Sequence, residues 1–184
     1  MNKRDQIIES SYEIFYRQGF HACGVELLAQ NAGVTKRTLY SYFASKDDLI
    51  AASLTHRHTQ FIEQMQAVLN TYSPQKTATG YLAFLRGWIE SANFYGCMFI
   101  NACAEYADVQ NPLHQQAKAH KEAVKEILRA RFQSAEFVQA QAMADLLFIN
   151  GEGLIVCAQT LGSAAIDRDY ALIEQAVNAL AELS

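Results

Sequence analysis

Thr35-Lys36-Arg37-Thr38-Leu39-Tyr40-Ser41-Tyr42-Phe43 separates its apolar and polar positions at helical spacing. At about 100° per residue, Leu39 and Phe43 fall close together and can anchor one side in a core. Arg37 and Ser41 then project from the far side, flanked by Thr38 and Tyr40. Thr35 is placed to accept a hydrogen bond from a free amide at the helix start, as N-cap residues do. The outward groups are a cation, hydroxyls and a phenol, which are partners for phosphates and base edges. An ordinary solvent face would more often carry Glu and Lys. By itself the pattern also fits a plain exposed helix, so its surroundings decide.

Upstream runs Val25-Glu26-Leu27-Leu28-Ala29-Gln30-Asn31-Ala32-Gly33-Val34. Val25, Leu28, Ala29 and Ala32 recur at helical spacing. Asn31-Ala32-Gly33 is a short break, and Gly33 can take the positive φ that a tight turn between helices needs. A helix, a short glycine turn and a second helix with polar outward groups form the helix-turn-helix layout, whose second helix enters the DNA major groove. Downstream, Ser45-Lys46-Asp47-Asp48 opens another helix. Ser45 is its N-cap, Asp48 completes a variant capping box, and Lys46 beside free amides suits a phosphate clamp.

Gly19-Phe20, Val25, Leu28-Ala29, the run from Ala32 to Phe43, Ser45-Lys46 and Leu49 resemble the DNA-binding domain of the TetR (tetracycline repressor) family. Many positions agree in register over roughly the first sixty residues. The remainder is similar to the family only in helical layout. The resemblance implies a homodimeric, all-helical transcription factor, usually a repressor released by a small molecule. Two departures stand out. Cys23-Gly24 occupies a place where the family often has Thr or Ser-Thr, which weakens the cap of the second helix, removes a hydroxyl contact to phosphate and introduces an oxidisable thiol. Arg37 stands where many members have Gly or a small residue. It either reads guanine, with which Arg pairs bidentately, or touches a phosphate. The DNA-contact set is therefore Thr35, Lys36, Arg37, Thr38, Tyr40, Ser41, Tyr42 and Lys46.

The 184 residues, 51% hydrophobic, suffice for a core. The net charge of −4 excludes a general nucleic-acid sponge. Residues 1–50 hold six Lys/Arg and six Asp/Glu, leaving nine and thirteen of the totals of 15 and 19 for the rest. The surplus negative charge thus lies outside the N-terminal part, where Lys36, Arg37 and Lys46 form a local basic patch able to hold phosphates. Cys23, Cys97, Cys103 and Cys157 show neither a CxxC nor zinc spacing, which fits a reducing cytoplasm. The N-terminus leads straight into an amphipathic helix with no apolar leader. The longest uncharged runs, such as Ser91 to Ala104, are fourteen residues, too short to span a bilayer.

The expected fold is all-α, with about nine helices. Residues 1–60 form the helix-turn-helix domain, and residues 61–184 form a ligand-binding and dimerisation bundle. The first helix runs from about Lys3 to Gln18, with Ile7, Ile8, Ser11, Ile14 and Phe15 inward and Gly19 as C-cap. The fourth runs from Lys46 to about Asn70. His56 and His58 lie on it at i,i+2, on different sides, so no metal is expected. Ser73 and Pro74 open a fifth helix reaching Ala92. A sixth spans about Cys97 to Tyr106. A seventh starts at Asn111-Pro112, with Lys118, Lys121, Glu122, Lys125, Glu126 and Arg129 as a solvated face of i,i+4 pairs. The eighth is expected from about Glu136 to Leu161 and the ninth from about Arg168 to Leu183. These last two offer more apolar surface than one small domain covers, which points to a four-helix bundle across a two-fold axis.

Aromatic residues crowd the middle of the chain, and bundles bind small molecules between helices. Candidate ligand contacts are Phe84, Trp88, Tyr95, Phe99, Asn101, Glu105, Phe148 and Glu152, for an unidentified small-molecule effector and no other cofactor. The competing reading makes the aromatics plain core. Cys97 follows Gly96 at a helix start, where free amides stabilise a thiolate, so a redox or electrophile sensor is the alternative to an inert buried thiol. No grouping of His, Cys or carboxylates reads as catalytic. Palindromic operator DNA is the expected partner. A helical-bundle enzyme and an interaction module without DNA binding are the rivals.

Overall fold

The computed structural model describes residues 2–182. Among them, nine α-helices follow in order: α1 Lys3–Gln18, α2 Val25–Asn31, α3 Lys36–Tyr42, α4 Lys46–Leu69, α5 Thr77–Ile89, α6 Met98–Glu105, α7 Pro112–Ser134, α8 Ala140–Leu161 and α9 Asp169–Ala179. Short 3-10 turns at Pro74–Lys76, Ser163–Ile166 and Leu180–Glu182 complete the regular structure.

The chain folds into two compact units. One holds the residues up to Phe61 together with Met98–His120, and the other holds Ile62–Cys97 and the residues from Lys121 onward. The break in α4 falls beside the expected boundary at residues 60/61. Met98–His120, which the sequence pattern places with the C-terminal bundle, packs in the first unit. The physical reason is a set of polar bonds from the end of α6, described below. α4 and α7 each contribute residues to both units as unbroken helices.

The first unit is built as the periodicity requires. Ile7, Phe15, Phe20, Leu28, Leu39, Leu49, Ile50 and Leu54 are all 0–1% exposed. Truncating any one of these to Ala would cost about 2–5 kcal/mol through lost burial and the cavity left behind. Gly19 closes α1 with φ 83°, and its amide donates to the Phe15 carbonyl. Gly33 turns α2 into α3 at φ 63°, a region that L side chains rarely adopt. Thr35 caps α3 through the Thr38 amide at 3.0 Å, and Ser45 accepts from the Asp48 amide at 3.1 Å at the head of α4. Gly24 caps α2 with no side-chain bond, as the Cys23-Gly24 departure implies.

In the second unit α5, α8 and α9 pack on one another. Gly151 lets α8 approach α5, since a Cβ there would lie 2.8 Å from the Tyr81 ring. α8 is long and apolar enough by composition to cross a membrane. Met143, Ala144, Leu147, Leu154 and Ile155 are nevertheless buried within the unit.

Four helix ends differ from expectation. α5 stops at Ile89 rather than Ala92, because Ser91 turns its hydroxyl back to the Trp88 carbonyl at 2.7 Å and accepts from the Phe94 amide. Ser73 precedes a 3-10 turn and makes no side-chain cap. α8 begins at Ala140, not Glu136, because Glu136 adopts φ 61°, which a right-handed helix cannot contain. α9 ends at Ala179 and tightens into a 3-10 turn, and the expected end at Leu183 lies outside the described residues.

Candidate nucleic-acid interface

α3 presents the face that the sequence pattern drew. Leu39 and Phe43 are buried, whereas Thr35, Lys36, Arg37, Tyr40, Ser41 and Tyr42 are exposed and Thr38 and Lys46 half-exposed. Tyr40 and Tyr42 keep 43% and 44% of their surface, unusual for rings with no partner to cover them. The structure therefore brings all eight expected DNA-contact residues onto or beside one helix.

Their hydrogen-bonding states differ. The Thr35 and Thr38 hydroxyls pair at 2.9 Å. The Ser41 hydroxyl donates to the Thr38 carbonyl at 2.6 Å, so it can offer a phosphate only an acceptor unless it rotates. Lys36 holds Glu26 of α2 at 2.5 Å on an exposed face, which raises the Lys36 pKa and lowers that of Glu26 through their mutual hydrogen bond. A phosphate can compete with so exposed an ion pair. Cys23 departs from the expectation of an oxidisable thiol. It is fully buried, its Sγ donates to the Gly19 carbonyl at 2.9 Å, and burial raises its pKa.

A contact that sequence reasoning missed holds this head in shape. Glu105, expected among ligand contacts, instead accepts from the backbone amides of Phe20 at 2.9 Å and His21 at 2.6 Å. Its second oxygen also lies 3.0 Å from His21 Nδ1. The next residue, Tyr106, packs on the Phe20 and His21 rings and hydrogen-bonds Asp47 in the first turn of α4. Burial, with Asp47 and Glu105 adding, pushes the Tyr106 phenol up to about 12. The end of α6 thus grips the α1–α2 turn and the start of α4, the two segments flanking the helix-turn-helix. Carboxylate bonds to backbone amides are among the stronger hydrogen bonds. Nothing in local periodicity announces a partner 84 residues away.

The other expected ligand residues do not form one set. Phe99 and Asn101 lie in the first unit, where Phe99 stacks on the buried His120 ring at 3.6 Å. Phe84, Trp88, Tyr95, Phe148 and Glu152 lie in the second. There Phe84 is core, Trp88 packs edge-on against Phe94, and Phe148 sits beneath the Lys125 ammonium. Glu152 pairs with Lys121 at 2.6 Å. The i,i+4 pattern places Lys121 on a solvated face, yet it turns inward, and it also reaches the Cys97 sulfur at 3.2 Å. Burial disfavours its charge, but Cys97 and Glu152 outweigh that and raise its pKa. His58 and His120 meet at 3.0 Å through their Nδ1 atoms, while His56 faces Tyr12.

An exposed recognition helix on a capped, three-helix head defines a helix-turn-helix DNA-binding protein. Residues 7–53 match the family model described as bacterial regulatory proteins, tetR family. The chain is similar to the fatty acid metabolism regulator protein of Bacillus subtilis, 36% identical over 61 residues, which are 33% of this chain and 31% of that protein. It is likewise similar to the HTH-type transcriptional activator FasR of Mycolicibacterium smegmatis, 33% identical over 69 residues, 38% of this chain and 32% of that one. These matches therefore span about a third of each relative. A crystal structure of a TetR-family transcriptional regulator from Streptomyces coelicolor superposes with a TM-score of 0.80 at 25% identity, covering 98% of this chain and 92% of that one. Residues 7–53 thus carry a DNA-binding head of the tetR family, and nearly the whole chain shares the fold of TetR-family transcriptional regulators.

Proposed function

We propose that this regulator works as a homodimer that represses by occupying a palindromic operator and is released when a small molecule binds the C-terminal bundle. The observation that carries it is the pairing of a polar, exposed α3 with an uncovered apolar stripe far along the chain. On α8, Ile149 and Val156 are 64% and 43% exposed, with the exposed Gly153 between them, and on α9 Leu172 is 63% exposed. Such a stripe at i, i+4 and i+7 is what a two-fold helix pair buries. Two heads held by that pair would read half-sites about 34 Å apart or a multiple of it.

Release follows from linkage. An effector shifts the balance between an operator-matched and an unmatched dimer only by its differential affinity for the two. Arg37, exposed on α3, is the residue assigned to base reading, and Lys36 and Lys46 to phosphate. Repression rather than activation rests on family resemblance alone, since one relative is named an activator. The test is sedimentation to establish mass together with gel shifts over a salt series. A dimer whose DNA affinity falls steeply with salt supports the reading, and a monomer at micromolar concentration refutes it.

A second reading makes Cys97 the sensor. The Lys121 ammonium on its sulfur favours it over an inert buried thiol.

A further inference from the structure

We propose that Cys97 is a covalent capture site for small α,β-unsaturated carbonyl compounds, with Lys121 as its proton donor. This deepens the sensor reading and rests on it for the consequence at DNA, but not for the chemistry.

Three segments of the second unit converge on the thiol. Cys97 immediately precedes α6, Lys121 comes from α7 and Glu152 from α8. Lys121 Nζ lies 3.2 Å from Cys97 Sγ and 2.8 and 2.6 Å from the two Glu152 oxygens. The ammonium is thus in hydrogen-bond reach of the nucleophile and of an acceptor that docks beside it. Glu152 aims that ammonium and holds it charged until a proton is needed. Tyr81 is buried nearby, and burial, with Glu152 and Cys97 adding, raises its pKa and keeps it a neutral donor.

The backbone fixes the nucleophile's position. Gly96 adopts φ 85°, a conformation that L side chains rarely take, and lies against the Gln159 side chain. The thiol itself is 3% exposed, but the Lys121 and Glu152 side chains keep 22% and 23% of their surface. A small carbonyl compound would therefore approach the thiol from the side of these two partly exposed groups. Cys23 lacks this setting, since its thiol donates to a carbonyl instead.

The reaction balances without any oxidant. The Cys97 thiol gives its proton to solvent. The sulfur lone pair attacks the β-carbon and forms the C–S bond, while the C=C π pair moves onto the carbonyl as an enolate. Lys121 stabilises that oxygen and delivers a proton to the α-carbon, then regains one from solvent. The net change is addition of S–H across the double bond. The adduct removes the sulfur from Lys121 at the residue that leads into α6. That helix is eight residues long and ends on Glu105, the carboxylate holding the Phe20 and His21 amides. The adducted residue is thus joined in sequence to the helix that carries that carboxylate.

The experiment uses N-ethylmaleimide on the full-length folded protein, with peptide mass mapping. Cys97 is expected to take the first equivalent. Lys121→Met is expected to slow its labelling about tenfold, and Lys121→Arg, which keeps the charge, to restore most of the rate. First labelling at Cys103 or Cys157 with Cys97 untouched overturns the proposal. So do equal Cys97 rates in wild type and Lys121→Met. Should Lys121→Met not fold, the wild-type mapping and Lys121→Arg decide alone. In gel shifts on a duplex selected from random sequence, labelled wild type is expected to lose at least about tenfold in affinity. Cys97→Ser should make binding insensitive to the reagent. Untreated protein that binds no duplex refutes the regulator reading alone. Binding that survives complete labelling of Cys97 refutes its role in sensing.

Discussion

The two units place the charges assigned to their functions differently. In the first, the cations assigned to DNA lie on the outside: Arg37 is exposed, and Lys36 is held only by the exposed Glu26. Its inward carboxylate, Glu105, serves the backbone. In the second, one cluster of charged groups turns inward. Lys121 joins Glu152 and Cys97, and the half-buried Arg131 reaches the Tyr72 carbonyl. A surface that exchanges solvent for a polyanion needs cations ready to release their counterions. An interior that must tell one small molecule from another needs polar groups already desolvated and aimed.

Separating the two protomers of the proposed dimer should have the largest effect. If α8 and α9 glue a dimer, Ile149→Arg with Val156→Arg yields folded monomers. Their DNA affinity should fall by about a hundredfold or more, because two linked heads gain that much over one. Light scattering and gel shift together check it, and a dimer persisting at micromolar concentration would count against the assignment. Next comes the head's own clamp. Glu105→Ala leaves the Phe20 and His21 amides without their carboxylate and should lower stability by about 2–4 kcal/mol in urea melts. Glu105→Gln, which keeps one acceptor, should fall between.

The first unit was legible because short-range rules govern it. Capping at Thr35 and Ser45, a glycine turn at Gly33 and the Leu39–Phe43 stripe each act within a few residues, so a single chain displays them. The end of α8 at Leu161 was legible for the same reason. The start of α8 was not, since the positive φ of Glu136 belongs to no residue-type preference. Glu105 and Lys121 were misread for a different cause. A glutamate near the end of a helix and a lysine among i,i+4 partners carry no mark of a distant acceptor. Their roles are set by tertiary approach across 84 and 24 residues. Sequence found the polar groups of the interior and not their groupings.

Smaller effects sharpen the external half of the contrast. Arg37→Ala should relax preference at one base position in each half-site, by roughly tenfold or more where the guanidinium pairs with guanine. Selection from randomised duplexes reads this directly, and equal weakening on all sequences would make Arg37 a phosphate contact. Lys36→Ala should leave base preference intact and reduce the slope of log affinity against log salt by about 1 per half-site. An unchanged slope would mean that Lys36 stays with Glu26 when DNA is bound.

The mildest effect probes the α6 grip through pH. Tyr106 is raised from 10.0 to about 12 in the folded chain by burial first and then by Asp47 and Glu105. Between those values the unfolded chain has lost the phenolic proton while the folded chain retains it. Stability from this group is therefore complete below about pH 10 and declines as pH rises toward 12. Half-exposure of the ring keeps the slope shallow, so urea midpoints at closely spaced alkaline pH values are needed. Tyr106→Phe should flatten part of that decline while losing the bond to Asp47 at every pH. An alkaline slope identical in wild type and variant would show that Tyr106 titrates freely and that the grip at α4 is looser than its geometry implies.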